Sequence, residues 1–225
     1  METALHRELK EFYCDDAAAR EVTVRGYRID AIVDGTLIEI QQASLAALRS
    51  KTKSLLETHR VTIVKPLCAL KTIIRLKRRR GPIAWKRTSP RHETVHHVFH
   101  ELVHFVDVFP HPKLVLEVLL TEQEETRIPK GKRWFRAKDF TVADRRLVAV
   151  RSRQTFQTPA DLCGLLPAGL DETFTTADIA RLAHIPRWLA QKMAYCLRRT
   201  GGISITGKRR NAVVYTLAPA GRAAA

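Results

Sequence analysis

The sequence is poor in acidic residues and in cysteine, and it contains no long apolar run. Its 225 residues include 23 Asp and Glu against 39 Lys and Arg, which gives a formal net charge of +16 and a pI near 10.2. This excess predicts a polyanionic partner, with nucleic acid ahead of a membrane surface. No stretch reaches about 18 uninterrupted apolar residues, so the sequence predicts no transmembrane helix. The N-terminal residues also lack the apolar core of a signal peptide.

The cysteines indicate a cellular compartment. None of the four lies at a close, metal-type spacing from another: Cys14, Cys68, Cys163 and Cys196. We therefore expect reduced thiols in a cytoplasmic protein. The hydrophobic share of 45% with interspersed charge predicts a globular chain.

Residues 27–41 predict a tight β-hairpin. The dipeptide Asp34-Gly35 at its centre is the two-residue turn that most strongly favours such a hairpin. Counting outward from the turn pairs Ala31 with Ile38 and then Asp30 with Glu39. Because side chains alternate between the two faces of a strand, the apolar residues share one face: Ile29, Ala31, Val33, Ile38 and Ile40.

The other face of the hairpin carries Asp30, Glu39 and Gln41. Two directly opposed carboxylates lie about 4.5–5.5 Å apart at Cβ and repel each other. A divalent cation between them would remove the repulsion, and carboxylate oxygens suit Mg²⁺. The structural alternative is a solvated face on which both charges are tolerated.

The surrounding chain predicts elements in the order helix, three strands, helix, strand. A first helix over 2–13 buries Leu5, Leu9 and Phe12, with Glu8 at the border of this stripe. Strands follow over 20–25 and in the hairpin. The next elements are a helix over 43–57 and a strand over 59–65 that Pro66 stops.

This order, with an acid at the end of one strand and E-x-Q on the next, resembles the core of the PD-(D/E)XK phosphodiesterase superfamily. Its members include restriction endonucleases, resolvases and repair nucleases. The resemblance covers about residues 2–66. It implies that Asp30 and Glu39 bind Mg²⁺ or Mn²⁺, and that Glu8 corresponds to an acid that some members bring from the first helix.

The sequence departs from the family pattern at two positions. Ile29, not proline, precedes the first acid, and Gln41 stands where the family usually has lysine. Some nucleases that resemble this pattern use E-x-Q. In others the lysine has moved to the following helix, which nominates Lys51 ahead of Arg49 as the catalytic cation.

A strongly basic segment follows from Lys71 to Arg91. Its pattern around Arg80-Gly81 predicts a second hairpin with a cationic tip. We expect Arg78, Arg79 and Arg80 at this tip to contact a phosphate backbone; the alternative is a solvated charged loop.

Residues 92–109 predict one amphipathic helix that contains an H-E-x-x-H motif, from His100 to His104. Two histidines four residues apart on a helix can bind zinc, with the glutamate as general base. However, the histidines lie opposite a broad apolar face, and no acid downstream stands in a suitable place for a third ligand. We therefore interpret the motif as incidental and keep a zinc hydrolase as the third hypothesis.

The next segments, 113–127 and 141–156, predict two long paired strands whose acidic and arginine side chains face each other. In the loop between them, Trp134 and Phe135 either stack on bases or pack in the core. Residues 158–167 are typical of a linker.

The C-terminal segment 174–217 resembles a winged helix-turn-helix domain. Thr175 caps a first helix, residues 184–186 turn, a second helix spans 187–200, and a basic two-stranded wing follows. Winged helices also dock proteins, but the basic wing favours nucleic acid. The expected contacts on the second helix and the wing are Arg187, Gln191, Lys192, Tyr195, Arg198, Lys208, Arg209 and Arg210.

Together these features predict an α+β protein in three parts. Residues 1–66 form an αβββαβ nuclease-like core, 67–157 a basic β-rich extension with helix 92–109, and 158–225 the linker and winged helix. The predicted function is Mg²⁺-dependent phosphodiester hydrolysis of nucleic acid, double-stranded DNA first. The alternative is a nucleic-acid-binding protein with an inactive nuclease core. Membrane is not an expected partner, and the sequence leaves open whether the chain forms a homodimer.

Overall fold

A computed structural model describes residues 3–130 and 139–218 of the chain. The fold is mixed α+β, as expected. Within the described residues the helices are α1 (Ala4–Tyr13), α2 (Arg49–Leu56), α3 (Val98–Leu102), α4 (Pro159–Cys163), α5 (Thr176–Leu182) and α6 (Arg187–Arg199). The strands are β1 (Arg20–Val24), β2 (Tyr27–Val33), β3 (Thr36–Ile40), β4 (Arg60–Leu76), β5 (Ile83–Thr88), β6 (Leu114–Pro129), β7 (Phe140–Phe156), β8 (Ile203–Arg209) and β9 (Ala212–Leu217).

The strands form two sheets. The larger has the order β1-β2-β3-β4-β6-β7, with β5 paired to β4, and the smaller is the β8-β9 hairpin. The chain divides into two compact units made of interleaved segments. Unit 1 comprises Met1–Gln42, Val64–Val95 and Val118–Gln154; unit 2 comprises Ala43–Ile63, His96–Glu117 and Thr155–Ala225. The consecutive division at residues 66 and 157 stays a prediction.

In unit 1, α1 packs on the apolar face of the β2-β3 hairpin. The Thr3 hydroxyl caps α1 by accepting a hydrogen bond from the His6 N–H. The shared core of helix and sheet contains Leu5, Leu9, Ala31, Ile38, Ile40, Val64 and Leu119. Phe12 was expected in the same apolar stripe, but it is exposed near the C-terminal end of α1, where the Arg153 guanidinium lies over its ring.

The predicted hairpin register is confirmed over the three residue pairs next to the turn. The pairing ends at Ala31 and Ile38, so the predicted pairs of Asp30 with Glu39 and of Ile29 with Ile40 are not among them. Val33 pairs with Thr36 and Ala31 pairs with Ile38. Asp34 and Gly35 adopt φ values of 48° and 72°, and a type I′ turn requires positive φ at both of its central residues. The apolar alternation and the turn chemistry therefore specify the same register.

Strand β4 is longer than predicted. It continues through Pro66 to Leu76, because the fixed φ of proline is compatible with an extended chain and its missing N–H removes one ladder bond at most. The predicted basic hairpin is present: β5 pairs antiparallel with β4, and Arg80 has a positive φ of 56° in the turn between them.

Strands β6 and β7 are neighbours, as predicted. Their expected cross-strand ion pairs join Glu125 to Arg145 at 3.0 Å and Glu122 to Arg151. The loop residues Trp134 and Phe135 lie outside the described residues.

Unit 2 departs from the sequence prediction in two places. The prediction of one helix over 92–109 is wrong, since within this segment only α3 is α-helical. His104, Phe105 and Val108 donate to carbonyls three residues back, and the valines and histidines of this segment have low helix propensity. The expected linker contains α4, whose N-terminus has a capping box between Thr158 and Asp161.

The remaining elements of unit 2 follow the predicted order. Helix α5 begins at a capping box of Thr175 and Asp178, α6 follows after a short turn, and Gly201 ends this pair at a positive φ of 82°. The β8-β9 hairpin comes next. Within unit 2, α6 contacts α3, α4, α5 and β8.

Candidate carboxylate site and basic surfaces

Asp30 lies where the β2-β3 pairing stops. In a regular hairpin of this register, the Ile40 N–H would donate to the Ile29 carbonyl. Instead it donates to Oδ2 of Asp30 at 2.7 Å, while His6 Nε2 on α1 lies 2.9 Å from Oδ1. The Asp30 carboxylate therefore links helix α1 to both strands of the hairpin.

These contacts keep Asp30 ionised. Burial alone would raise the pKa of Asp30, but the hydrogen bonds from His6 and the Ile40 N–H outweigh it and hold the pKa below its ordinary value. Lys10 lowers the pKa further through its charge. The side chain remains 20% exposed, so a solvent ion or a substrate can still reach it.

Glu39, the second predicted metal ligand, is buried on β3 at 5% exposure. A carboxylate removed from water requires polar or ionic compensation. Gln41 directly follows β3, and its N–H donates to the Val64 carbonyl at 2.8 Å.

Glu8, the acid predicted from the first helix, has its own partners on another strand. Glu8 points to β7, where Oε2 accepts a hydrogen bond from the Leu147 N–H at 2.6 Å and Oε1 lies 3.6 Å from Arg146 Nε. Its partners on β7 therefore give Glu8 a structural role in this fold. Lys51 belongs to unit 2, whereas Asp30 belongs to unit 1.

Sequence reasoning missed the side chains that do surround Asp30. An open groove of about 460 Å³ is lined by Thr3, His6, Lys10, Glu21, Arg28, Asp30 and Gln42. Lys10 is nearly buried and lies 2.6 Å from Glu21. The hydrogen bonds from Lys10 and Arg28 lower the pKa of Glu21 to about 2. The spacing of His6 and Lys10, one turn apart beside Leu5 and Leu9, was the available signal.

The implied magnesium site is tested by its donor set. Mg²⁺ takes one or two carboxylates together with water or substrate phosphates, so Asp30 and Glu39 fit in type and number. Within residues 3–130 and 139–218, no three His, Cys, Asp or Glu side chains are grouped to hold a metal ion. Both oxygens of Asp30 are also engaged, so a metal ion would compete with His6 for Oδ1.

The H-E-x-x-H residues have different neighbours. His100 and His104 are exposed, but Lys192 Nζ contacts His100 Nδ1, and a Trp188 edge lies against the His100 ring at 5.7 Å. Glu101 Oε2 accepts a hydrogen bond from the Leu45 N–H at 3.2 Å. The regular helix needed to direct both histidines at one ion is absent from this segment.

The predicted nucleic-acid contacts are exposed, with one exception. The exposed set is Arg78, Arg79, Arg80, Arg187, Gln191, Tyr195, Arg198, Lys208, Arg209 and Arg210. Lys192 is half-buried because it lies against His100 and over the Trp188 ring. The exposed face of α6 therefore runs through Arg187, Gln191, Tyr195 and Arg198 and does not include Lys192.

Residues 3–157 match a family model described as "Domain of unknown function (DUF8091)". The chain belongs to this family. A relative from Treponema pallidum (strain Nichols), named "Uncharacterized protein", is 29% identical over 221 residues, which cover 98% of the DUF8091 chain and 87% of the relative. No solved structure matches the chain significantly.

The DUF8091 match includes the Asp30 site and the basic β4-β5 hairpin, and it ends before α4. The treponemal relative extends the similarity over nearly the whole chain. Among the described residues, no helix combines the length and apolar character that a membrane crossing needs.

Proposed function

We propose that this DUF8091 protein binds nucleic acid through two basic surfaces. One is the turn of the β4-β5 hairpin in unit 1. The other is α6 with the β8-β9 hairpin in unit 2, and its ligand is duplex DNA. The observation that carries the proposal is the outward exposure of cations on α6 and at the β8-β9 turn. Arg187 and Arg198 lie on one face of α6. At the tip of the β8-β9 hairpin, Lys208 and Arg209 end β8 and Arg210 lies in the turn. A helix-turn-helix followed by a basic hairpin is suited to one helix in the major groove and phosphate contacts at the hairpin.

Charge supports the same partner. The net charge of +16 exceeds what solubility requires of a small domain. Phosphate contacts release condensed counterions, so this mode of binding depends steeply on salt. We assign the protein to the cytoplasm, where its four cysteines stay reduced.

The test is DNA binding by the full chain over a series of salt concentrations. Replacing Lys208, Arg209 and Arg210 by alanine should lower the slope of log K against log salt by up to about 2.7, since each phosphate contact on B-DNA contributes about 0.9. A matched control removes the same charge from exposed positions elsewhere in unit 2: Lys53, Arg60 and Lys113. Equal slope changes in both triple variants would reject the hairpin as a contact. Absence of DNA binding even at low salt would reject the proposal.

A second candidate function is metal-dependent phosphodiester hydrolysis at Asp30 and Glu39. The observation that favours it is an ionised, partly exposed Asp30 in an open groove, with Glu39 buried on the neighbouring strand β3. These two residues would hold Mg²⁺ or Mn²⁺, which supplies an activated water and charge stabilisation at the phosphate. Lys10 would supply the positive charge that Gln41 lacks.

This candidate ranks second because both Asp30 oxygens already accept protein contacts. Plasmid, single-stranded DNA and RNA incubated with Mg²⁺, Mn²⁺ or EDTA test it directly. Asp30→Asn should abolish metal-dependent cleavage and leave DNA binding intact. The matched control is Asp34→Asn in the same hairpin, since asparagine tolerates the positive φ there. Gln41→Lys should preserve or increase cleavage. If the wild type cuts no substrate, the core is a binding module only.

A further inference from the structure

The β4-β5 hairpin, residues 72–88, forms a two-stranded ribbon in which β5 and the turn are exposed, whereas the β4 residues are buried or half-buried. Strand β5 pairs with β4, and all six of its residues are exposed. The turn residues Lys77, Arg78, Arg79 and Arg80 are exposed as well. From residue 77 to residue 88 the sequence contains six Lys or Arg and no acid. Water therefore surrounds a strongly cationic end of the ribbon.

Two large apolar side chains lie on this cationic ribbon. Trp85 is 40% exposed and Ile83 is 56% exposed. Tryptophan is usually buried for most of its surface, so its position on the exposed strand β5 is unfavourable for the isolated chain. The Arg87 guanidinium lies 5.1 Å from the centroid of the Trp85 ring, which positions the ring beside a cation.

The composition of the ribbon suits one class of ligand. Cations alone would bind any polyanion. An aromatic ring among cations is the combination that binds both the bases and the phosphates of single-stranded nucleic acid. In an intact duplex the base faces are covered by stacking on their neighbours, so an exposed indole gains little there. Stacking also does not depend on base identity, because every base has a π face.

We infer that the β4-β5 ribbon binds single-stranded nucleic acid, with Trp85 stacking on an unpaired base and the turn arginines contacting flanking phosphates. The inference rests on the proposed nucleic-acid binding and adds a ligand class to it. It assigns single-stranded nucleic acid to unit 1, whereas duplex DNA is the proposed ligand of α6 and the β8-β9 hairpin in unit 2.

The first experiment makes Trp85 the sole fluorescent tryptophan. The chain has three tryptophans, so Trp134→Phe and Trp188→Phe in the full-length protein leave Trp85. Titration with oligo-dT should quench its fluorescence, because a stacked base quenches indole emission, while a blunt duplex of the same length should change it little. Quenching by the duplex to the same extent as by oligo-dT would overturn the assignment.

The second experiment measures affinity in the wild-type background. Trp85→Ala should weaken oligo-dT binding by about 5- to 150-fold, the loss of one stacked base, and leave the salt slope unchanged because no charge is removed. Trp85→Phe should restore most of the affinity. The control is Val148→Ala, which truncates another exposed apolar strand residue and should have no effect. Wild-type affinity in Trp85→Ala would overturn the inference alone, whereas failure of every nucleic acid to bind would overturn the proposed function too.

Discussion

A cluster of charges around Glu125 on β6 stabilises the sheet next to the ribbon. The Glu125 side chain is 3% exposed, and Oε1 accepts from Arg127 at 2.6 Å. Oε2 lies 3.0 Å from Arg145 Nε and 3.3 Å from Lys71 Nζ. Lys71 directly precedes the ribbon on β4. We therefore expect the charge on Glu125 to contribute measurably to the free energy of unfolding.

The magnitude follows from the pKa. Burial alone would raise the pKa of Glu125, but the hydrogen bonds from Arg127 and Arg145 lower it from 4.5 to about 2. Since one pH unit corresponds to about 1.36 kcal/mol, the lowered pKa amounts to roughly 3 kcal/mol of stability. Because the pKa is depressed in the folded state, this contribution is complete above about pH 5 and is lost as the pH falls toward about 2.

Glu125→Gln removes the charge and keeps the size of the side chain. At neutral pH we expect the free energy of unfolding of the variant to be about 3 kcal/mol lower than that of the wild type, because the substitution leaves the surrounding cations uncompensated. Urea unfolding at neutral pH and at a series of lower pH values should show that the gap in free energy of unfolding between variant and wild type narrows as the pH falls. Glu124→Gln is the control: its carboxylate is more exposed and pairs with Lys86 at 2.7 Å, so its loss should stay within about 1 kcal/mol. A gap of constant width through the acid range, or equal losses in both variants, would refute the reasoning.

Three further measurements test the site assignments. If Asp30 and Glu39 bind metal, Mn²⁺ at 100 times its Kd should stabilise the wild type by about 2.7 kcal/mol and raise its Tm. Asp30→Asn should abolish this rise in Tm, and Asp34→Asn should retain it. A wild-type Tm that does not change with Mn²⁺ would contradict metal binding. Elemental analysis of untagged protein should find well under one zinc per chain, and near-stoichiometric zinc that disappears in His100→Ala/His104→Ala would reverse our interpretation of that motif. Thr175→Ala should lower the free energy of unfolding by about 1 kcal/mol, because the Thr175 hydroxyl caps α5; an unchanged urea midpoint would show that the cap contributes nothing.

The candidate site shows how far local sequence rules reach. Asp34-Gly35 and the apolar alternation around it specify the hairpin register, because both act within a few residues of each other. The same holds for α5, because its capping box of Thr175 and Asp178 can be recognised in the sequence. The basic β4-β5 hairpin was likewise predicted from its Arg80-Gly81 turn. Exposure of the arginines around that turn follows from their charge.

Elements that depend on distant partners were not predictable in this way. Residues 92–109 have a helical pattern of apolar side chains, but the short helix α3 and the turns after it bury Phe99, Phe105 and Phe109 without a continuous helix. Pro66 was expected to end β4, yet neighbouring strands keep the chain extended past it. The pairing of Lys192 with His100 likewise depends on the packing of α6 against α3 within unit 2.

The sequence by itself therefore determined the hairpin next to its turn, the order of most elements and the exposure of most of the basic residues. The tertiary structure decided which side chains surround Asp30. Glu8 and His6 lie two residues apart on α1, and the packing of that helix on the sheet directs Glu8 to β7 and His6 to Asp30. Spacing along the chain indicates which residues share a face of a helix, but the partners of that face are set by how the helix packs.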